Sequence, residues 1–249
     1  MSVEQTIYEF ATKQGNGVFP NIPRGQVADG LWERVRNPDS VKQQTSSLCG
    51  PASFSFSVLR KRPQLYVDYV TKLYDTGEAR YGGITVKPGY DCRNAKIDGK
   101  IEAVDWVSLG SLRDSENTFW DYQDASNEFA GITLPNHIES WMKKSGFKGV
   151  TNETNLWFTK DIDNLKEAAD LCGKGYSVCL FIWMDLLQGY WGHWYTVPSH
   201  WIVMTRPPVF KGGKVVDMEL WTWGKRYNMN ASIDRFESGY FGYVAGKLV

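Results

Sequence analysis

Residues 176–184, Tyr176-Ser177-Val178-Cys179-Leu180-Phe181-Ile182-Trp183-Met184, form an apolar run rich in β-branched and aromatic side chains, with Gly175 just ahead. A run this short and this composed reads as a buried strand. Three more strands follow at 201–204, 214–223 and 240–248. The second and third are joined through Pro207-Pro208 and Gly212-Gly213, and the glycine pair suits a tight hairpin turn. Ahead of residue 175 the pattern is helical, with helices predicted over 3–12, 26–35, 63–76, 104–112, 135–144 and 161–171, and another starting at Cys49. Gly77 and Gly146 stand where helices stop, and Asp161 stands at a capping position. The rest of 78–133 reads as loop. Helices first and an antiparallel sheet after predict an α+β chain with a cleft between the two layers.

The chain has 249 residues, 42% hydrophobic and 22% charged, which excludes global disorder. Its 28 Lys+Arg balance 28 Asp+Glu, and no run of like charges stands out, so a nucleic-acid partner held by bulk charge is not expected. No apolar stretch approaches the roughly 20 residues of a membrane span, so no membrane partner is expected. Residues 1–10 carry two Glu and no hydrophobic region, so synthesis in the cytoplasm without a signal peptide is the expectation. Export would then need a dedicated machine. Cys49, Cys92, Cys172 and Cys179 are widely spaced, with no CxxC pair and no zinc spacing; a reduced compartment and no metal follow as expectations. The unusual feature is aromatic content, 11 Trp, 13 Tyr and 12 Phe, which means large packed surfaces or flat platforms for sugars or peptides.

The sharpest local signal is Gln43-Gln44-Thr45-Ser46-Ser47-Leu48-Cys49-Gly50-Pro51-Ala52-Ser53. Pro is favoured in a first helical turn, so Cys49 opens a helix, where backbone N–H groups and the helix dipole favour a thiolate. A glutamine side chain upstream, together with the Cys49 N–H, makes a candidate oxyanion hole. His200, opening the strand His200-Trp201-Ile202-Val203-Met204, is the candidate base, to be oriented by a group on the next strand.

This order of Gln, Cys-Gly at a helix start and a distant His opening a strand resembles the papain-like cysteine peptidase superfamily. Leu-Cys-Gly-Pro-Ala is more similar to its bacterial branches, the bacteriocin-processing and secreted effector or polymorphic-toxin peptidases. Thr222-Trp223-Gly224 is similar to the family's Ser-Trp-Gly, and Phe236 to Val244 has the look of the effector group's last strand. The likeness covers roughly residues 41–60 and 198–249. It implies one papain-like domain over 1–249, with a mainly helical lobe at about 1–174, a β-sheet lobe at about 175–249 and the active site between them. It implies Cys49 as nucleophile, His200 as general base and acid, and Gln43 in the oxyanion hole with Gln44 as fallback. The interval after His200 points to Asp217 as the orienting residue. A hairpin turning at Gly212-Gly213 instead points to residues near Thr222–Lys225. Asp217 is taken on spacing, with Glu219 and Thr222 as rivals.

The implied reaction is hydrolysis of a peptide or amide bond in a protein or peptide substrate, with no cofactor. The toxin members further imply delivery into a target cell and an inhibitory immunity protein. The same machinery serves glutamine deamidases, transglutaminases and peptidoglycan amidases. A binding module that kept the fold and lost the chemistry is the rival from another class. His193 is the competing base. His137, Cys92, Cys172 and Cys179 read as structural. Trp183, Trp191, Trp194, Trp201, Trp221 and Trp223 crowd around His200, as cleft walls or as sheet core. The acidic residues Asp105, Asp114, Glu116, Asp121, Asp124 and Glu128 contain no pair that stands out as a glycosidase would require.

Overall fold

Ser2 accepts a hydrogen bond from the Gln5 N–H at 3.2 Å and so starts the first helix, α1 (Val3–Thr12). The computed structural model describes residues 1–43, 47–117 and 132–249. The chain divides into two compact units, Met1–Gly131 and Ile132–Val249.

In the first unit α1 is followed by α2 (Arg24–Arg36), α3 (Cys49–Leu59) and α4 (Pro63–Thr76). Gly77, at φ 75°, ends α4 in the left-handed conformation that glycine adopts freely, and its N–H bonds Leu73 O. A short hairpin, β1 (Ala79–Tyr81) with β2 (Ile84–Val86), leads to α5 (Tyr90–Asn94). Then α6 (Ala103–Asp105) widens into a π turn over Trp106–Gly110 and continues as α7 (Ser111–Asn117). Every residue of α3 is buried, so this helix is the spine of the unit and not an amphipathic surface element. A Cβ on Gly30 would lie 2.5 Å from Val104, so glycine there lets α2 and α6 touch.

That approach closes over a buried ion pair. Arg34 and Asp105 are both fully buried, joined from Arg34 Nη2 to Asp105 Oδ2 at 2.5 Å and from Nε to Oδ1 at 3.3 Å. Arg34 also reaches Glu102 at 2.6 Å and Glu33 at 2.8 Å. Asp105 Oδ2 accepts the backbone N–H of Lys42 at 3.0 Å, and Lys42 Nζ pairs with Glu102. Burial pushes the Asp105 carboxyl up to about 6, while Arg34 and the Lys42 N–H pull the other way and keep it ionised at neutral pH. Arg34→Leu leaves a buried carboxylate without its cation and should lower stability by about 3–5 kcal/mol. Urea unfolding of Arg34→Leu and of the Arg34→Leu/Asp105→Leu double variant checks this. The double variant should recover most of the loss, and a single-variant cost below about 1 kcal/mol would exclude this role for the pair.

The second unit holds α8 (Pro135–Lys144), β3 (Lys148–Asn152), α9 (Ile162–Gly173), β4 (Ser177–Ile182), β5 (His200–Arg206), β6 (Val209–Lys211), β7 (Lys214–Thr222), β8 (Lys225–Ser232), α10 (Ile233–Glu237) and β9 (Tyr240–Lys247). All strand pairings are antiparallel, in the order β3-β9-β4-β5-β7. β5 and β6 follow one another along one edge of β7, and β8 takes the other. The class is α+β. The division expected near residue 174 is corrected to 131. The later helices belong with the sheet because β3 pairs β9 and because Leu165 and Ala168 of α9 pack on Val178, Leu180 and Ile202. β8 escapes sequence reading: its Lys-Arg-Tyr-Asn-Met-Asn run is polar, as befits an outer strand, and hides the alternation.

Candidate active site

In the first unit, the hydrogen bond from Lys42 N–H to Asp105 fixes the backbone directly before Gln43, which is buried. Gln44 lies outside the described residues. Cys49 is the first residue of α3 and is buried. Leu48 precedes it and supplies no side-chain cap; the first backbone bond of the helix runs from Ala52 N–H to Leu48 O at 2.9 Å. The N–H groups of Cys49 and Gly50 lie ahead of that bond, at the positive end of the helix dipole.

In the second unit, His200 begins β5 and is only 2% exposed. Its Nε2 lies 2.8 Å from Thr222 Oγ1, at the end of β7, and Thr222 is itself buried. The imidazole stacks on Trp223 with centroids 4.7 Å apart and planes 18° from parallel. Trp223 and Gly224 form the two-residue turn between β7 and β8, both with positive φ, 49° and 76°. A non-glycine residue rarely adopts that conformation, and here it lays the indole on the His200 ring. Next to His200, Trp201 Nε1–H bonds Thr133 O at 2.8 Å and its ring stacks on Phe181, which anchors the strand start. Thr222 thus engages Nε2 and not Nδ1.

The structure brings together His200, Thr222 and Trp223, and it corrects the choice of Asp217. The register Val203↔Trp221 and Met204↔Leu220 runs His200 toward the Thr222 end of β7. Asp217 is exposed and sits at φ 57° in a bulge between β7 and β8, where its N–H bonds Asn230 and its carbonyl accepts from Arg206. Sequence spacing alone misplaced it because spacing ignores register. Glu219 is occupied elsewhere: hydrogen bonds from Thr205 and Arg226, 2.7 and 2.9 Å long, hold its carboxyl below the usual range. Thr222 is the rival that reaches the histidine. His193 is exposed on the β4–β5 connection, stacked on Tyr195, and His137 sits on α8 with its ring 6.3 Å from Trp141.

Cys92 is buried, and burial pushes its thiol up to about 12. Cys179 is fully buried, and Cys172 Sγ lies 3.6 Å from Met204 O. Of the acidic set, Asp105 is in the Arg34 pair, Asp114 accepts the Gly89 N–H, and Asp121, Asp124 and Glu128 lie outside the described residues. Among the described residues no group of His, Cys, Asp or Glu is arranged to hold a metal, and no helix is long and apolar enough to cross a membrane. Comparison of the chain with protein-family models, with curated proteins and with solved structures finds no match to any of the three.

Burial pushes the His200 ring down to about 4, and no carboxylate of the same unit is placed to offset it. The neutral ring is therefore the folded form at neutral pH. The unfolded chain takes up the proton first as pH falls, so stability present above about 6.5 is lost between there and about 4, by about 3 kcal/mol. NMR titration of the His200 ring should give a midpoint near 4, and His200→Gln should remove this part of the acid destabilisation. A midpoint of 6.5 or above would overturn the assignment.

Proposed function

We propose that the chain is a papain-like thiol hydrolase of two lobes that cleaves a peptide or amide bond. The carrying observation is the buried His200 at a strand start, clamped by Thr222 Oγ1 at 2.8 Å and covered by Trp223. These features support a Cys–His base, which needs one ring nitrogen held and water kept from that hydrogen bond. The resemblance in Gln43, Cys49 and His200 supplies the remaining roles.

His200 rests neutral, so it acts first as a general base. Nδ1 takes the Sγ proton of Cys49 as the thiolate attacks the carbonyl carbon. The Gln43 amide and the Cys49 N–H donate to the oxyanion. Collapse breaks the C–N bond, and the imidazolium gives its proton to the leaving amine. Water, its proton taken by His200, then cleaves the thioester and releases the acid and the thiol. Thr222 fixes the ring without carrying a charge, so Cys49 and His200 work as a dyad, and Thr222 is a positioning residue. A bacterial effector or toxin role, with delivery into a target cell and an inhibitory partner protein, rests on the Leu-Cys-Gly-Pro-Ala likeness.

A second reading, an aromatic-rich binding module without catalysis, is favoured by the exposed tryptophans Trp191 and Trp194. Iodoacetamide labelling near neutral pH separates the two. Under the hydrolase reading Cys49 alkylates fastest, far ahead of Cys92, and His200→Ala slows it while His193→Ala does not. Equal rates at all four cysteines support the binding module.

With a peptide substrate in hand, Cys49→Ala should abolish hydrolysis while leaving the circular dichroism spectrum unchanged. Thr222→Val, which keeps the shape and removes the hydroxyl, should lower turnover about ten- to a hundred-fold, or about 1.4–2.8 kcal/mol of barrier. Asp217→Ala should leave turnover as it is. Loss of turnover with Asp217→Ala and none with Thr222→Val would reverse the assignment of the orienting group.

A further inference from the structure

Gln43 follows directly on a backbone group that is held from the core of the first unit. The chain leaves α2 through a 3-10 turn, Pro38–Ser40, in which the Ser40 N–H and Oγ both bond Asn37 O, at 3.0 and 2.7 Å. This turn touches α3, the helix that Cys49 opens. Val41 is fully buried, and beyond it the Lys42 N–H meets Asp105 Oδ2 at 3.0 Å.

Asp105 is a closely determined anchor. It accepts from Arg34 Nη2 and Nε as well, and Arg34 is held in turn by Glu33 and Glu102. Carboxylate and guanidinium are both fully buried, so neither swings out to solvent. Stability alone does not account for a charge here, because apolar residues of similar volume commonly serve as well as a buried ion pair. What an apolar pair lacks is an acceptor for a backbone N–H. A carboxylate fixed by a two-point contact with arginine sets that N–H in direction as well as distance.

An oxyanion donor needs such fixing, since it acts only when it already stands where the charge develops. A misplacement of about 1 Å can cost about a hundredfold. Gln43 is one peptide bond from the anchored N–H and is itself buried.

We propose that the Arg34–Asp105 pair is a positioning device for Gln43: Asp105, through the Lys42 N–H, sets the backbone from which Gln43 presents its amide. This rests on the hydrolase reading, in which Gln43 is the oxyanion donor.

The test uses the full chain with p-nitrophenyl acetate as acyl donor. The Cys49 thiolate attacks the acetyl carbon, negative charge passes to the carbonyl oxygen, and collapse expels p-nitrophenolate and leaves acetyl-Cys49, located by mass spectrometry. Lys42→Pro removes the N–H, and Val41, at φ −57° and ψ 124°, already has the extended geometry that precedes proline. Lys42→Ala is its reference, because both variants lose the side-chain pair with Glu102. Acetylation of Lys42→Pro should be about tenfold slower than that of Lys42→Ala. Alkylation by iodoacetamide, which develops no oxyanion, should be equal in the two. In a Gln43→Ala background the difference in acetylation should vanish, because the donor being positioned is gone. Arg34→Leu/Asp105→Leu carries the same comparison against the parent where Lys42→Pro does not fold: about tenfold slower acetylation at unchanged alkylation.

Equal acetylation, a parallel loss of alkylation, or a difference that persists in Gln43→Ala overturns the positioning role and leaves the hydrolase reading standing. A parent chain whose Cys49 takes up no acetyl group refutes the hydrolase reading, and the positioning role falls with it.

Discussion

The ladder between β5 and β7 is pinned at one end by the Gly212-Gly213 turn and interrupted by Pro207-Pro208, and what His200 meets follows from it. Lys211↔Lys214 closes the turn with both glycines at positive φ, which suits the twist of the flanking strands. A one-residue bulge at Thr205 then shifts the pairing between Arg206↔Glu219 and Met204↔Leu220. Side chains alternate along a strand, so one residue of register exchanges the faces. The outcome is a hydroxyl against the imidazole, while the Glu219 carboxylate of β7 is held by Thr205 and Arg226 and Asp217 lies exposed in a bulge.

That exchange governs the state of the ring. A carboxylate beside His200 would hold the ring charged, whereas Thr222 orients it and leaves its protonation to burial. A neutral buried histidine is a poor resting cation. In the first unit the opposite choice is made: Asp105 is buried as an ion because Arg34 is buried with it and a backbone N–H completes the carboxylate. This pair holds the chain at Lys42, immediately before Gln43, so a polar interaction deep in the helical unit reaches the loop that leads to Cys49.

The aromatic residues that make the composition unusual have divided roles. Trp201 and Trp221 are core, Trp223 covers His200, and Trp191 and Trp194 stand in solvent on a loop held down by Ser238. Composition alone allowed both readings for all of them, because a tryptophan fits a sheet interior and a platform equally well.

By itself the sequence determined the class and most elements. The run at 176–184, the paired glycines at 212–213, Gly77 and the Asp161 cap act through local conformational preference, and each is legible without a partner in space. Cys49 at a helix start was legible for the same reason, through Pro51. A hairpin turning at Gly212-Gly213 favours Thr222 over Asp217, whereas the family-like interval after His200 favours Asp217. Only the tertiary structure decided which side chain of β7 meets His200, because a bulge at Thr205 and the Pro207-Pro208 break fall between the turn and that end of the strand. It also decided that α8, β3 and α9 belong with the sheet, and which tryptophans are buried. These depend on pairing and packing between residues distant in the chain, and no local preference encodes them.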